Sequence, residues 1–460
     1  MTMTIKIKEK EEEKEGGKRG CSSSISICKD APNLLSFFVD TFVDFSVSGL
    51  FLLPMPPLQN PNPSISRSLP PLPTGLPSPS RLIAVGDLHG DLDKTKQALR
   101  LAGLIDATDH YVGGSATVVQ VGDVLDRGGD ELKILYFLEK LKREAARSGG
   151  KIITMNGNHK IMNIEGDFRF VTKTALDEFR VWEQWFSVGN KMKGLCQGLE
   201  TPTDPFKGVP MSFHGVKREF FDGFRARVAA LRPNGPISSR FLLQNVTLLV
   251  VGDSVFVHGG LLPQHVDYGL ERINEEVRNW INGSSGKFSP QYCRGRNAAV
   301  WLRKFSNEVA QDCDCATLEH VLKTVPGAKR MIMGHTIQTA GINGACENRA
   351  IRIDVGMSTG CGGGLPEVLE ISKNSGLRIL TSNPLYQNMG NAGLNAGKEE
   401  FSMLVTETGN EQHPVYFVSK VLQNAQTRYP TIEKLAFSFV ITARRLRYYF
   451  QTHLIIVRTG

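Results

Sequence analysis

Six short runs of β-branched and other apolar residues punctuate the chain, and each ends abruptly in glycine beside an acidic, amide or imidazole side chain. They are LIAVGDLHG (82–90), TVVQVGDVLDRG (117–128), KIITMNGNH (151–159), SVFVHGG (254–260), RMIMGHT (330–336) and AIRIDVG (350–356). Apolar runs this short, bounded by glycine, predict buried strands. Between two of them, residues 130–150 place Leu132, Leu135, Leu138 and Leu141 on one helical stripe. Asp130 suits the N-cap of that helix and Gly149-Gly150 its stop. Strands alternating with helices predict an α/β layered core, whose ligands collect at the carboxyl ends of the strands. The polar residues of the six runs fall there.

The pattern is different at both ends. The first 20 residues mix five Glu with six Lys or Arg, a composition that predicts a solvated arm and suits an organelle signal poorly. Leu34 to Leu53 is apolar but carries Asp40 and Asp44, each costing about 2.5–3.5 kcal/mol near the centre of a bilayer. An amphipathic helix docked on the main domain, or an edge segment, is expected rather than a membrane span. Residues 54–80 hold ten of the 23 prolines, which predicts an extended linker. Globular structure is therefore expected from Arg81. Residues 1–80 form the arm, apolar segment and linker, 81–385 the main domain, 386–400 a second linker and 401–460 a tail.

Charge changes this picture little. The net charge is +8, and residues 401–460 alone carry seven Lys or Arg against three Glu. Half the excess is thus a property of the tail, and no basic run interleaved with aromatics occurs elsewhere, so no nucleic-acid partner is expected. The eight cysteines are scattered, which predicts reduced thiols in a reducing compartment. Cys313 and Cys315 form the one close pair, with no second pair at zinc-site spacing. The cytoplasm is the expected location, with a mitochondrial one left open.

The candidate chemistry lies in the turns. Asp87 and His89, two residues apart, share a face if that segment is extended. Asp123 and Asp126 follow the second run, Asn158 and His159 the third, His258 the fourth and His335 the fifth. Carboxylates, an amide oxygen and imidazoles are donors suited to Mn, Fe or Zn rather than to a thiolate site. In this order, GDLHG, GDVLDRG, GNH, HGG and GHT resemble the signature of the calcineurin-like metallophosphoesterase superfamily, and within it the phosphoprotein phosphatases. NGNHKIMNIEGDFRF, VWLRKFS (300–306) and GLPEVLEI extend the resemblance to the plant Shewanella-like protein phosphatases, over roughly residues 30–385.

That resemblance implies a four-layered α/β sandwich, two mixed sheets flanked by helices, with one site for two divalent or trivalent metal ions. Asp87 and His89 would bind the first metal, Asp123 would bridge, and Asn158, His258 and His335 would complete the second. Asp126 would orient His159, the general acid. Arg127 would grip the phosphate, with Arg303 as a second grip placed by its local sequence. Two cations about 3.5–4 Å apart can share and activate a hydroxide for in-line attack, and arginine forks match phosphate oxygens. Phosphoprotein substrates are the expected partners. Nucleotide hydrolysis is the alternative within the superfamily.

Two departures qualify the expectation. Where the family has an acidic residue after the GNH histidine, this chain has Lys160, facing either the metals or solvent. An inward ammonium would impair metal binding and leave a pseudophosphatase or binding protein. From Phe401 the chain instead resembles the ribonuclease H region of gypsy-type retrotransposons. Glu433 matches one catalytic carboxylate there, but the opening Asp and the Asp expected after the last strand are missing. The tail is expected to be a truncated α/β ribonuclease-H-like fragment without activity.

Overall fold

The computed structural model describes residues 27–52, 71–195, 204–307, 309–372, 376–382, 399–408 and 411–421. Each of the six runs forms a strand. Among the described residues the strands of the main domain are β1 (Gly75–Leu76), β2 (Arg81–Val85), β3 (Thr117–Gln120), β4 (Lys151–Thr154), β5 (Leu248–Val251), β6 (Ser254–Val257), β7 (Arg330–Met333), β8 (Asn343–Ala345), β9 (Ala350–Arg352), β10 (Glu367–Ser372) and β11 (Gly376–Thr381). They build two mixed sheets, ordered β11-β10-β2-β3-β4 and β1-β5-β6-β7-β9-β8. In each sheet three strands run parallel: β2, β3 and β4 in one, β6, β7 and β9 in the other, and all but β9 are followed by candidate residues. Each trio therefore presents its carboxyl ends on one side of its sheet. The apolar residues of the same strands fill the core, where Ile83, Val119, Phe256 and Ile332 are fully buried.

The helices are α1 (Ile27–Ser48), α2 (Leu92–Leu101), α3 (Glu131–Arg147), α4 (Asn158–Glu165), α5 (Lys173–Gly194), α6 (Phe221–Leu231), α7 (Pro263–Tyr268), α8 (Leu270–Ile281) and α9 (Cys315–Thr324). The leucine stripe of α3 is buried as its spacing predicts. Asp130 holds the N-cap position without capping, because its Oδ1 accepts from Lys133 Nζ at 2.6 Å.

Globular structure begins well before Arg81. Residues 75–76 pair in parallel with β5, and α1 packs on α3 and α5. Val39, Val43 and Val47, at helical spacing, join the core. The two acids that argued against a membrane span bind the domain: Asp44 accepts two hydrogen bonds from Arg240 at 2.6 and 2.8 Å, and Asp40 pairs with Lys193 at 2.6 Å. No helix among the described residues is long and apolar enough to cross a membrane.

The thiol expectation is corrected at one place. Cys315, at the start of α9, is joined by a disulfide to Cys346 in the turn after β8. Cys313 Sγ lies 3.2 Å from Cys346 Sγ and remains free, as do Cys293 and Cys361. The β8–β9 hairpin folds against the start of α9, a juxtaposition that a separation of 31 residues conceals in the sequence.

In the tail, β12 (Glu399–Thr408) and β13 (Glu411–Val421) form an antiparallel pair. Glu433 lies outside the described residues.

Candidate metal centre

Asp87 and His89 do not converge by strand alternation, because β2 has ended at Val85. The chain turns instead, and the backbone N–H groups of Leu88 and His89 both donate to Asp123 O at 2.9 Å. His89, Asp123, Asp126, Arg127 and His335 all have φ between 41° and 71°. Non-glycine residues rarely occupy that region, and when they do the surrounding structure must hold them there. Five of the ten candidate residues share it, which marks these turns as shaped for a purpose other than connection. Glycine is required nearby for room. A Cβ at Gly157 would collide with the Asp123 carboxylate, and one at Gly334 with that of Asp87.

The six expected ligands meet in one buried cluster. His258 Nε2 is 2.9 Å from both Asp123 Oδ2 and Asn158 Oδ1. His89 Nε2 is 4.0 Å from Asp123 Oδ2, and His335 N donates to Asp87 Oδ2 at 3.2 Å. Ligand-competent atoms of His89, Asp123 and His159 lie within 4.8 Å of one another, as do those of Asp123, His258 and His335. Asp123 belongs to both groups.

The imidazoles are held with one nitrogen committed to the backbone. His258 Nδ1 lies 3.0 Å from Val121 O, His89 Nδ1 3.0 Å from Leu125 O, and His335 Nε2 3.2 Å from Trp301 O. A carbonyl accepts only, so each of these nitrogens carries a proton and each opposite nitrogen faces the cluster. For His258 that second nitrogen faces two acceptor oxygens, which a proton or a metal cation must separate. Carbonyl-tethered imidazoles are the usual form of metal-ligating histidine. Charge tells the same story. Burial, then the Asp354 and Asp123 carboxylates, push Asp87 well above the usual carboxylate range, and Asp87 Oδ1 has no hydrogen-bond partner. Burial pulls His89 down to about 4. Burial opposes ionisation of Asp123 as well, but His258 and His159 hold it well below its ordinary value. The donor set fits divalent cations.

His159 stands apart from the ligands in its bonding. Its Nδ1 is 2.6 Å from Asp126 Oδ2, and its Nε2 points inward, 3.9 Å from Asp123 Oδ2. Burial lowers its pKa, and Asp123 with the Asp126 hydrogen bond more than reverses that, leaving it raised. Arg127 lies beside it, over the Phe170 ring at 5.2 Å, with a buried Nε that has no partner. Arg303 approaches from the other sheet, its Nη1 donating to His335 O at 3.0 Å and Thr336 Oγ1 at 2.9 Å.

Sequence reasoning missed three buried residues here. Asp354, at the end of AIRIDVG, lies beside Asp87 and is itself pushed up by burial. The acid at the end of its run repeats the pattern of Asp87 and Asp123, and that repeat is the signal that could have found it. Arg227 of α6 donates to Asp126 Oδ1 at 3.1 Å and Asn163 Oδ1 at 2.8 Å, and pairs with Glu131 at 2.7 Å. Asn163 also donates to Asp126 Oδ1, at 3.0 Å. Nothing local marks either residue, because their partners lie on other elements. Lys160 does not face solvent. It is fully buried, its Nζ donates to Met155 O, and burial pushes it down to about 7.

Comparison with known proteins agrees with this geometry. The calcineurin-like phosphoesterase profile matches residues 80–338, and that of the RNase H-like domain found in reverse transcriptase matches residues 396–460. The chain is 66% identical over 362 residues to Shewanella-like protein phosphatase 2 of Arabidopsis thaliana, covering 78% of this chain and 90% of the relative. It is 28% identical over 299 residues to Shewanella-like protein phosphatase 1 of Plasmodium berghei, covering 63% and 71%. A solved cold-active protein-tyrosine phosphatase of a psychrophilic Shewanella matches with a TM-score of 0.47 and 19% identity, covering 66% of this chain and 78% of that one. The strand-end cluster, the profile and the extent of the plant match agree: this chain belongs to the Shewanella-like protein phosphatases, within the calcineurin-like phosphoesterases.

Proposed function

We propose that this protein hydrolyses phosphomonoesters on protein side chains, using two metal ions held by Asp87, His89, Asp123, Asn158, His258 and His335. The observation that carries the reading is the gathering of the expected ligands around His258 Nε2, which lies 2.9 Å from both the Asp123 carboxylate and the Asn158 amide oxygen. Manganese is the first choice of metal for this mixed carboxylate and imidazole set, with iron and zinc as alternatives. When bound, the pair supplies Lewis-acid activation of water and neutralises phosphate charge.

The chain's own residues perform the rest. Arg127, beside His159, and Arg303, bonded to His335 O, bind the equatorial phosphate oxygens. Asp126 fixes the His159 ring by the 2.6 Å bond to Nδ1, so that Nε2 carries the proton given to the departing alkoxide. Asp126 is held in turn by Arg227 and Asn163. The test is turnover of a phosphopeptide against a dinucleotide, with manganese. Preference for the dinucleotide would move the protein to another branch of the superfamily.

Residues up to about 385 form the catalytic unit, and the ribonuclease-H-like stretch 401–460 does not carry the opening-strand Asp that nuclease chemistry uses. A chain ending at 385 should keep its metals and its turnover, and loss of either would make the tail part of the enzyme. The cytoplasm remains the simplest location from composition. The Cys315–Cys346 disulfide favours a more oxidising one, and thiol trapping in fractionated cells decides between them.

A further inference from the structure

The face of α4 turned away from the cluster borders a cavity of about 20 Å³, room for one guest the size of a water molecule. Lys142 of α3 and Lys160 of α4 line it, with Thr154, Asn245, Leu138 and Phe241. Lys142 Nζ donates to Thr154 Oγ1 at 2.7 Å, and Lys160 Nζ donates to the next carbonyl, Met155 O. An ammonium has three N–H donors, and each lysine spends one in these bonds.

Neither lysine has a carboxylate within ion-pair distance among the described residues. The acids nearby are committed elsewhere. Glu139, which also lines the cavity, pairs with Arg143 and with Arg240, and Asp44 pairs with Arg240. Lys160 is completely buried and Lys142 partly so. A buried cation without a counter-charge is costly unless a partner is supplied, and burial accordingly pushes Lys142 down to about 8 and Lys160 to about 7. Exposed Gln244 stands at the cavity's lip, which gives a small ion a route from solvent.

We propose that this cavity is a binding site for one small monovalent anion of the halide class, held between the Lys142 and Lys160 ammonium groups. Its volume rejects phosphate and carboxylate metabolites. The same volume admits one halide ion.

The test is thermal unfolding of the full chain at constant ionic strength, with sodium gluconate replaced stepwise by sodium chloride. Gluconate is too large to enter. A saturable rise in Tm of roughly 2–4 °C is expected with chloride. Lys142→Met should abolish it by removing one cation, and Lys160→Glu by placing a carboxylate in the cavity. An equal rise in gluconate, or a rise that survives in both variants, would overturn the proposal. If the variants fold poorly, crystals of the wild-type protein in bromide give a direct reading. Anomalous density between the two Nζ atoms is expected, and its absence at saturating bromide means that the cavity holds water.

Discussion

Adjacent residues of α4 serve two buried polar regions that handle charge in opposite ways. His159 looks into the strand-end cluster, where carboxylates and imidazoles crowd together. Asp123 is met by His258, His89 and His159, and Asp126 by His159, Asn163 and Arg227. Lys160 looks into a cavity where two lysines face each other's field with no carboxylate paired to either. The first region gathers excess acceptors, which call for cations. The second gathers excess donors, which call for an anion. Burial magnifies both imbalances, because a low-dielectric interior strengthens every unmet charge.

The comparison is broken most severely at Asp123. Asp123→Asn keeps the shape of the cluster but removes the one carboxylate common to both ligand groups, so metal content should fall and nearly all turnover should vanish. Retention of two metals with wild-type turnover would mean that Asp123 is not shared. His159→Asn is expected to leave the metals in place while slowing catalysis by about 10²–10⁴-fold, the usual contribution of a general acid. An aryl phosphate with a good leaving group should suffer less than a phosphoserine peptide. Equal losses on both substrates would make His159 a ligand or a structural residue.

How far the sequence reaches depends on the range of the contact. The strand-end turns are legible because each carries its polar residue within a few positions of its strand, as in Asp87, His258 and His335. Arg227 is not legible, since one of the buried acids it joins, Asp126, is 101 residues away in sequence, and Glu131 is nearly as far. The reading of α1 stopped at local amphipathicity, and only its partners Arg240 and Lys193 show how it docks. Lys160 is legible as a departure from its family, but its surroundings come from α3 and from Asn245, so the sequence leaves its direction open.

Smaller effects sharpen the comparison. Arg227→Met should destabilise the fold by about 3–5 kcal/mol, because it leaves Asp126 and Glu131 buried without their cation. Turnover should fall about tenfold, with KM little changed, as the His159 ring loosens. Denaturant melts and steady-state kinetics on the same preparation check both, and Arg227→Lys should recover part of each. Lys160→Glu should have the mildest effect on catalysis. With the ammonium gone, manganese affinity should rise by up to about tenfold, equivalent to about 1.4 kcal/mol. Identical manganese titrations of the two forms would show that Lys160 does not reach the cluster.

The central claim is that the strand-end cluster binds two metal ions on which phosphate-ester hydrolysis depends. Metal content per chain, measured together with phosphopeptide turnover before chelation, after it and after manganese is restored, tests that most directly. The account predicts two ions, loss of turnover with their removal, and recovery on their return. One ion at saturation, or turnover that survives complete chelation, would contradict it.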